Sequence, residues 1–384
     1  MKKKRILLIC SMMVLILLFG LCGCGGDPQE EAQDTEAVEE AQDTEAVEEA
    51  QETKIIIDMA GREVAVPAIP KKVATMQGPS YEQVFMLGGK DQIGLVRDDH
   101  PSAYPLAALT NPDLAAYSTI AGVGPQSPVN IEEFINQGVD LVIYWPIEQE
   151  LKKFDDAGIP AIVINWQSND AANLEETISQ EKERMGVLAE ALGGKALERY
   201  EKWVNYIDKA VEVISERTSE IPESDFPVVF WANTWGNNVL SSYSALPLKY
   251  EIALCGGQLA SIEKGGQFPE VTKEQLLSWE PEVIIVDNHG GDPAAIIEQL
   301  KTDADWADLP AVQNNRLYRN PAGVFFMDKA STRPVYYYWL AKQLHPEIFE
   351  DIDLITELKY YFKTFYNYDL RTTEAEKTLA GWTE

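Results

Sequence analysis

Histidine and cysteine are scarce in this chain, with three histidines and four cysteines in 384 residues. His100, His289 and His345 are too few to build a multi-histidine metal centre easily. Of Cys10, Cys22, Cys24 and Cys255, only Cys255 lies in the folded body, so paired-cysteine metal sites and an intramolecular disulfide are excluded there. Positive charge is short as well: 32 Lys+Arg stand against 62 Asp+Glu, a net charge of −30. Such a polyanion has no basic face for nucleic acid. The chain also lacks Gly-x-Ser-x-Gly, His-Glu-x-x-His, a Walker loop and Gly-x-Gly-x-x-Gly. Gly256-Gly257 and Gly265-Gly266 are isolated pairs that read as turns, and Cys255, following Ile252-Ala-Leu254, reads as a packing residue rather than a nucleophile. An enzyme is not expected.

What is present is a globular composition, 45% hydrophobic and 10% aromatic, with its charge unevenly spread. Lys2-Lys-Lys-Arg5 and the apolar run Ile6 to Leu21 read as a secretory leader (1–23). Leu21-Cys-Gly-Cys24 matches a bacterial lipobox with Cys24 as the lipidated residue; the alternative is an uncleaved membrane anchor. Residues 24–53 form an acidic tether built on the nine-residue unit Glu31-Ala-Gln-Asp-Thr-Glu-Ala-Val-Glu39. With one valine per unit it cannot bury enough apolar surface to order itself, and it lacks the glycine turn of calcium loops. As a coil it reaches roughly 30 Å. The expected location is the outer face of a cell membrane, with the body held by its lipid.

Residues 54–384 keep 28 basic against 50 acidic groups and exceed the size at which one core usually stops growing, so two lobes are expected. Val73–Met76, Ile93–Val96, Leu141–Trp145 and Ala161–Asn165 read as strands, with helices such as Tyr81–Leu87 and Ile131–Gln137 between them. Val228–Trp231, Val283–Asp287 and Arg316–Arg319 form a second series. The fold class is α/β: two Rossmann-like lobes with mainly parallel sheets, at 54–172 and 222–384. The segment 173–221 is helical. Within it Leu197, Tyr200, Val204, Ile207, Val211 and Ile214 recur at threes and fours, predicting a helix over 195–217 about 34 Å long that joins the lobes.

Several strings resemble one family in order and spacing. They include Asp58-x-x-Gly-Arg62-x-Val-x-Val-Pro67, Ile69-Pro-Lys-Lys-Val73, Val129-Asn-Ile-Glu132, Asp140-Leu-Val-Ile-Tyr-Trp145 and Ala157-Gly-Ile-Pro160. Leu254-Cys-Gly-Gly257, Thr272-Lys-Glu274-Gln-Leu276, Pro281-Glu-Val-Ile-Ile285 and Pro310-Ala-Val-Gln-Asn-Asn-Arg316-Leu-Tyr318 continue the likeness. They resemble the substrate-binding proteins of ABC importers for ferric siderophores, haem and cobalamin, over essentially residues 54–384. The resemblance implies two lobes joined by one long helix, a cleft that closes little, and no resident cofactor. It also implies a monomer whose partners are a permease with its ATPase. Glu132 and Glu274 match the family's two docking glutamates, which pair with permease arginines.

Ligands of open α/β sheets sit beyond the carboxyl ends of strands. Tyr81, Tyr104, Trp145, Trp166, Trp231, Trp235, Tyr243, Phe325 and Phe326 lie after strands and could stack on a macrocycle or catecholate. Arg97, His100, His289, Lys329 and Arg333 are basic groups of the same loops, able to meet an anionic chelate. Arg333, in Phe325-Phe-Met-Asp-Lys-Ala-Ser-Thr-Arg333-Pro, has two readings: ligand contact, or structural ion pair with a partner such as Asp328. Haem, siderophore and cobalamin stay open. A direct zinc or manganese receptor is the rival, from Asp98-Asp-His100 and Asp287-Asn-His289.

Overall fold

Parallel strands read as unbroken apolar runs because helices cover both of their faces, and that is how the runs of this chain are used. The computed structural model describes residues 52–98, 104–165, 171–234, 239–287 and 291–382. The leader, Cys24, the tether as far as Gln51, His100, Trp166, Trp235 and His289 lie outside the described residues, while Thr53, expected as the tether's last residue, opens the first strand.

The described chain begins with an antiparallel hairpin, β1 (Thr53–Ile57) and β2 (Glu63–Pro67), additional to the expected strands. Its turn holds the first motif of the resemblance. The buried Asp58 carboxylate accepts from Arg62 Nη2 at 2.7 Å and from the backbone N–H groups of Ala60, Arg62 and Val163. Gly61 takes the left-handed position at φ +75°. The motif is a clasp that ties the hairpin to the first sheet.

The first lobe then runs β3 (Val73–Thr75), α1 (Ser80–Met86), β4 (Ile93–Arg97), α2 (Ala107–Thr110), β5 (Ser118–Ile120), α3 (Ile131–Gln137), β6 (Leu141–Tyr144), α4 (Glu148–Asp156) and β7 (Ala161–Val163). Its strands are parallel in the order β5-β4-β3-β6-β7. Helices α5 (Leu174–Leu192) and α6 (Ala196–Thr218) follow. The second lobe adds β8 (Val228–Ala232), α7 (Leu246–Leu254), β9 (Gln258–Leu259), α8 (Lys273–Trp279), β10 (Val283–Val286), α9 (Pro293–Thr302), α10 (Pro310–Gln313) and β11 (Leu317–Arg319). These strands are parallel in the order β11-β10-β8-β9. Helices α11 (Arg333–Leu344), α12 (Leu354–Tyr366) and α13 (Thr372–Leu379) close the chain. The architecture is two-lobed α/β with parallel sheets, as the apolar runs predict.

Side chains alternate across each strand, and the two faces feed different cores. Ala74, Leu95 and Val142 pack outward with Phe134 and Phe154, while Phe230, Ile284 and Val286 pack outward with Leu276 and Ile296. The inward residues of both sheets, among them Val73, Leu141, Val229 and Val283, join one continuous core with α5, α6 and α11. The lobes therefore do not have wholly separate interiors. Helix α11 is buried nearly all round, as befits a helix inside that shared core.

Polar ties cross the same region. Arg199 of α6 donates from Nε to the Met86 carbonyl at 2.6 Å and from Nη2 to the Phe365 carbonyl. At the other end of α6, Thr218 donates to the Leu254 carbonyl at 3.0 Å. Glu82 of α1 accepts from the Ser331 N–H at 2.9 Å and from the hydroxyls of Ser331 and Tyr366. The Ser331 carbonyl in turn accepts from Trp203 Nε1 and the Tyr361 hydroxyl, both at 2.7 Å.

Candidate functional site

A cavity of about 480 Å³ opens where the carboxyl ends of the first sheet meet the second lobe over α5. Gln77 follows β3 and Asn165 follows β7, so the first lobe supplies two side-chain amides at strand ends. Thr177, Gln180, Glu181 and Arg184 line it from α5. Their spacing of three, four and seven puts them on one helical face. The second lobe contributes Tyr243 from the loop after β8, Gln267 from the loop after β9, Leu248 and Glu251 from α7, and Phe325, Phe326, Lys329 and Arg333 from the segment entering α11. Hollows of about 630 Å³ also occur, one along β11, α9, α12 and α13 and one beside β9, but each is walled by the second lobe and its appended helices alone.

Arg333 is buried and paired twice, with Nη1 2.5 Å from Glu251 Oε1 and 3.0 Å from Glu181 Oε1. Burial works against its charge, but Glu181 and Glu251 outweigh that and hold it firmly protonated. Glu251 also accepts from the Tyr337 hydroxyl at 3.2 Å. Burial, the leading cause, raises its pKa, while the charges of Arg333 and Lys329 oppose the rise. Arg184 pairs with Glu181 one turn earlier on α5, and burial pulls its pKa down. The Lys329 ammonium lies 4.2 Å from the Tyr243 ring centroid and 3.2 Å from Asp328 Oδ2. Burial opposes its charge, yet Tyr243 and Asp328 more than offset this.

Of the residues expected from the sequence, Tyr243, Phe325, Phe326, Lys329 and Arg333 line this cavity. Tyr104 supports them, its ring centroid 4.7 Å from that of Phe325 and 5.1 Å from that of Phe326. Arg97 and Trp145 stand at the ends of β4 and β6, the strands on either side of β3, with the guanidinium 5.7 Å from the indole centroid, and are not among the lining residues. Two expected ligand residues lie in the core instead. Tyr81 is buried on α1 and its hydroxyl accepts from Asn111 Nδ2 at 3.0 Å. Trp231 points to the inward face of β8, against Tyr336. His100, Trp235 and His289 lie outside the described residues. Arg333 proves to be an ion-pair residue, but its partners are Glu251 and Glu181 rather than Asp328.

Glu181, Arg184 and Glu251 escaped the sequence reading, as did Gln77 and Asn165. For Glu181 and Arg184 the only signal was a polar stripe on α5, which reads equally as a solvated helix face; Gln77 and Asn165 stand at the ends of strands that the apolar runs marked, and Glu251 carried no signal. Asp287, proposed for a direct metal site, receives the N–H and hydroxyl of Thr234 at 2.9 and 2.7 Å. Among the described residues no cluster of three His, Cys, Asp or Glu could hold a metal ion.

Glu132 and Glu274 are exposed, each the second residue of a short helix leading into a strand adjacent to its lobe's first strand, α3 into β6 and α8 into β10. In α8 the string Thr272-Lys-Glu-Gln275 forms a reciprocal capping box, with Gln275 N–H to Thr272 Oγ1 at 3.2 Å and Thr272 N–H to Gln275 Oε1 at 3.0 Å. Cys255 is buried with its thiol pushed up by burial, a packing residue as expected.

Two α/β lobes with a cavity at strand ends are the architecture of a solute-binding protein, and the family match bears this out. The model of the family described as periplasmic binding protein matches residues 73–323, about two thirds of the sequence, and this chain belongs to that family. Its members bind solutes and are not enzymes. Molybdate-binding protein MolA of Haemophilus influenzae is 23% identical over 341 residues, 83% of this chain and 93% of that protein. Iron(3+)-hydroxamate-binding protein YxeB of Bacillus subtilis is 23% identical over 335 residues, 84% of this chain and 91% of that one. A vitamin B12-binding protein of Vibrio campbellii is 25% identical over 260 residues, 65% and 80% of the two chains. Among solved structures, a periplasmic solute binding protein from Veillonella parvula shares the fold at a TM-score of 0.70 and 24% identity, over 86% of this chain and 97% of its own. MolA bound to molybdate does so at 0.69 and 20% identity, over 83% and 99%. Named ligands differ among these relatives, so membership alone does not choose one. Among the described residues, no helix is long and apolar enough to cross a membrane.

Proposed function

We propose that this chain is an extracytoplasmic receptor, held at the membrane by lipid on Cys24 and its acidic tether, that captures a metal chelate for an ABC importer. The carrying observation is the cavity itself, where Tyr243, Phe325 and Phe326 face the guanidinium groups of Arg184 and Arg333 within about 480 Å³. Rigid rings offer apolar area to the organic part of a ligand, and the polar groups orient it. A ferric siderophore, haem or cobalamin has such a part, whereas a bare metal ion has none. Glu132 and Glu274 are the proposed docking points for permease arginines, supported by their exposure and by equivalent placement in the two lobes. A second reading, a bare oxyanion, has in its favour the buried Nε–H groups of Arg184 and Arg333, which lack partners.

Titration of the purified protein with ferric siderophores, haem, cobalamin, molybdate and free Zn²⁺ or Mn²⁺, followed by tryptophan fluorescence, tests this. Saturable quenching by a chelate and none by free ions is expected. A response confined to molybdate or to free metal ions overturns the proposal.

A further inference from the structure

Four buried side-chain atoms without partners sit on residues lining the cavity: Arg184 Nε, Arg333 Nε, Gln77 Oε1 and Asn165 Oδ1. Two are donors and two belong to amide ends. A buried polar group left unpaired costs free energy, so these four describe the polar pattern of whatever fills the space. Whichever way the two amides are turned, they ask for a hydrogen-bond partner of the kind another amide supplies, while the Nε–H groups ask for acceptors.

The charges of the site point the same way. Among the described residues at the cavity the cations are Arg184, Lys329 and Arg333, and each has a carboxylate against it. Glu181 bridges Arg184 and Arg333, Glu251 meets Arg333 at 2.5 Å, and Asp328 meets Lys329 at 3.2 Å. The three positive groups are already compensated. A polyanion brought into this space would lose its hydration without gaining a net positive field, and the strongly acidic chain around it would repel it further. We infer that the ligand is a metal chelate of no net charge, with amide-type donors and acceptors on its periphery. This rests on the metal-chelate reading above and narrows it. Ferric trihydroxamates, in which three monoanionic groups neutralise one Fe³⁺, have this chemistry, and so do corrinoids through their amide arms; trianionic ferric tricatecholates, ferric citrate and molybdate do not.

The test is a titration of the purified protein with a neutral ferric trihydroxamate, a corrinoid, a ferric tricatecholate, ferric citrate and molybdate, each at about 50 and 500 mM salt. The neutral trihydroxamate or the corrinoid should bind at least about tenfold more tightly than any anion, with affinity nearly independent of salt. Which of the two binds separates the sources. Glu251→Gln and Glu181→Gln should each raise affinity for the anionic chelates about tenfold, by uncovering a guanidinium charge. An anionic chelate binding most tightly to the unaltered protein, with steep salt dependence, overturns this inference while leaving the chelate reading standing. No binding of any chelate by folded protein overturns both.

Discussion

The Glu82 carboxylate accepts the Ser331 backbone N–H at 2.9 Å across 249 residues of sequence, joining α1 of the first lobe to the segment that enters α11. Tyr366 adds its hydroxyl to the same carboxylate, and the Ser331 carbonyl accepts from α6 and α12. One buried node thus links the elements that flank the shared core.

Replacing Glu82 with Ala would leave the Ser331 N–H and the Tyr366 hydroxyl without their acceptor. The expected loss is about 3 kcal/mol of stability, read as a shift in the denaturant midpoint at unchanged slope. A loss below about 1 kcal/mol would mean that the node is not what holds the lobes.

Stability at this node should also depend on pH. Burial, the leading cause, raises the Glu82 pKa above its ordinary 4.5, while the bonds from Ser331 and Tyr366 oppose the rise. With the folded value above the unfolded one, the folded state binds the proton more tightly, so this group's contribution is complete below about pH 4.5 and is lost as pH rises through the folded value. The difference in unfolding free energy between the unaltered protein and Glu82→Gln, measured from pH 4 to 8, should therefore move against the unaltered protein as pH rises. A flat difference would contradict the shifted titration.

Arg333 and its glutamates should behave as one unit. Arg333→Met leaves Glu251 buried without its 2.5 Å partner and should cost about 3–5 kcal/mol. Adding Glu251→Leu should recover part of that loss, because the double variant carries no uncompensated charge there. Chemical denaturation of both variants would expose additivity, the outcome this arrangement excludes.

Phe326 is only partly buried and presents its ring to the cavity. Phe326→Ala should weaken chelate binding roughly tenfold with little change in thermal midpoint. Equal affinity would remove this ring from the ligand wall.

Docking can be separated from capture. Glu132→Arg together with Glu274→Arg should abolish uptake by cells while the isolated protein keeps its ligand affinity, because both residues are exposed and lie outside the cavity lining. Uptake unchanged in that double variant would withdraw both residues from the proposed contact.

The strands of both lobes were legible because a parallel strand buried on two faces must be apolar throughout, and Leu141–Tyr144, Val283–Val286 and their neighbours meet that demand. The hairpin of β1 and β2 was not read as such, since its residues also spell the Asp58–Arg62 clasp. Aromatic residues placed after strands in sequence proved an uneven guide. Tyr243, Phe325 and Phe326 reached the cavity, while Tyr81 and Trp231 turned into the core.

By itself, then, the sequence determined the two-lobed α/β class, the acidic repeat ahead of it and the absence of catalytic signatures, all of which follow from local composition and period. Tertiary structure alone decided the charge of the binding cavity. Arg333 meets Glu251 across 82 residues of chain and Glu181 from α5. A count of basic groups in loops could not show that each is compensated, because an ion pair depends on which distant side chains the fold brings within about 4 Å of one another.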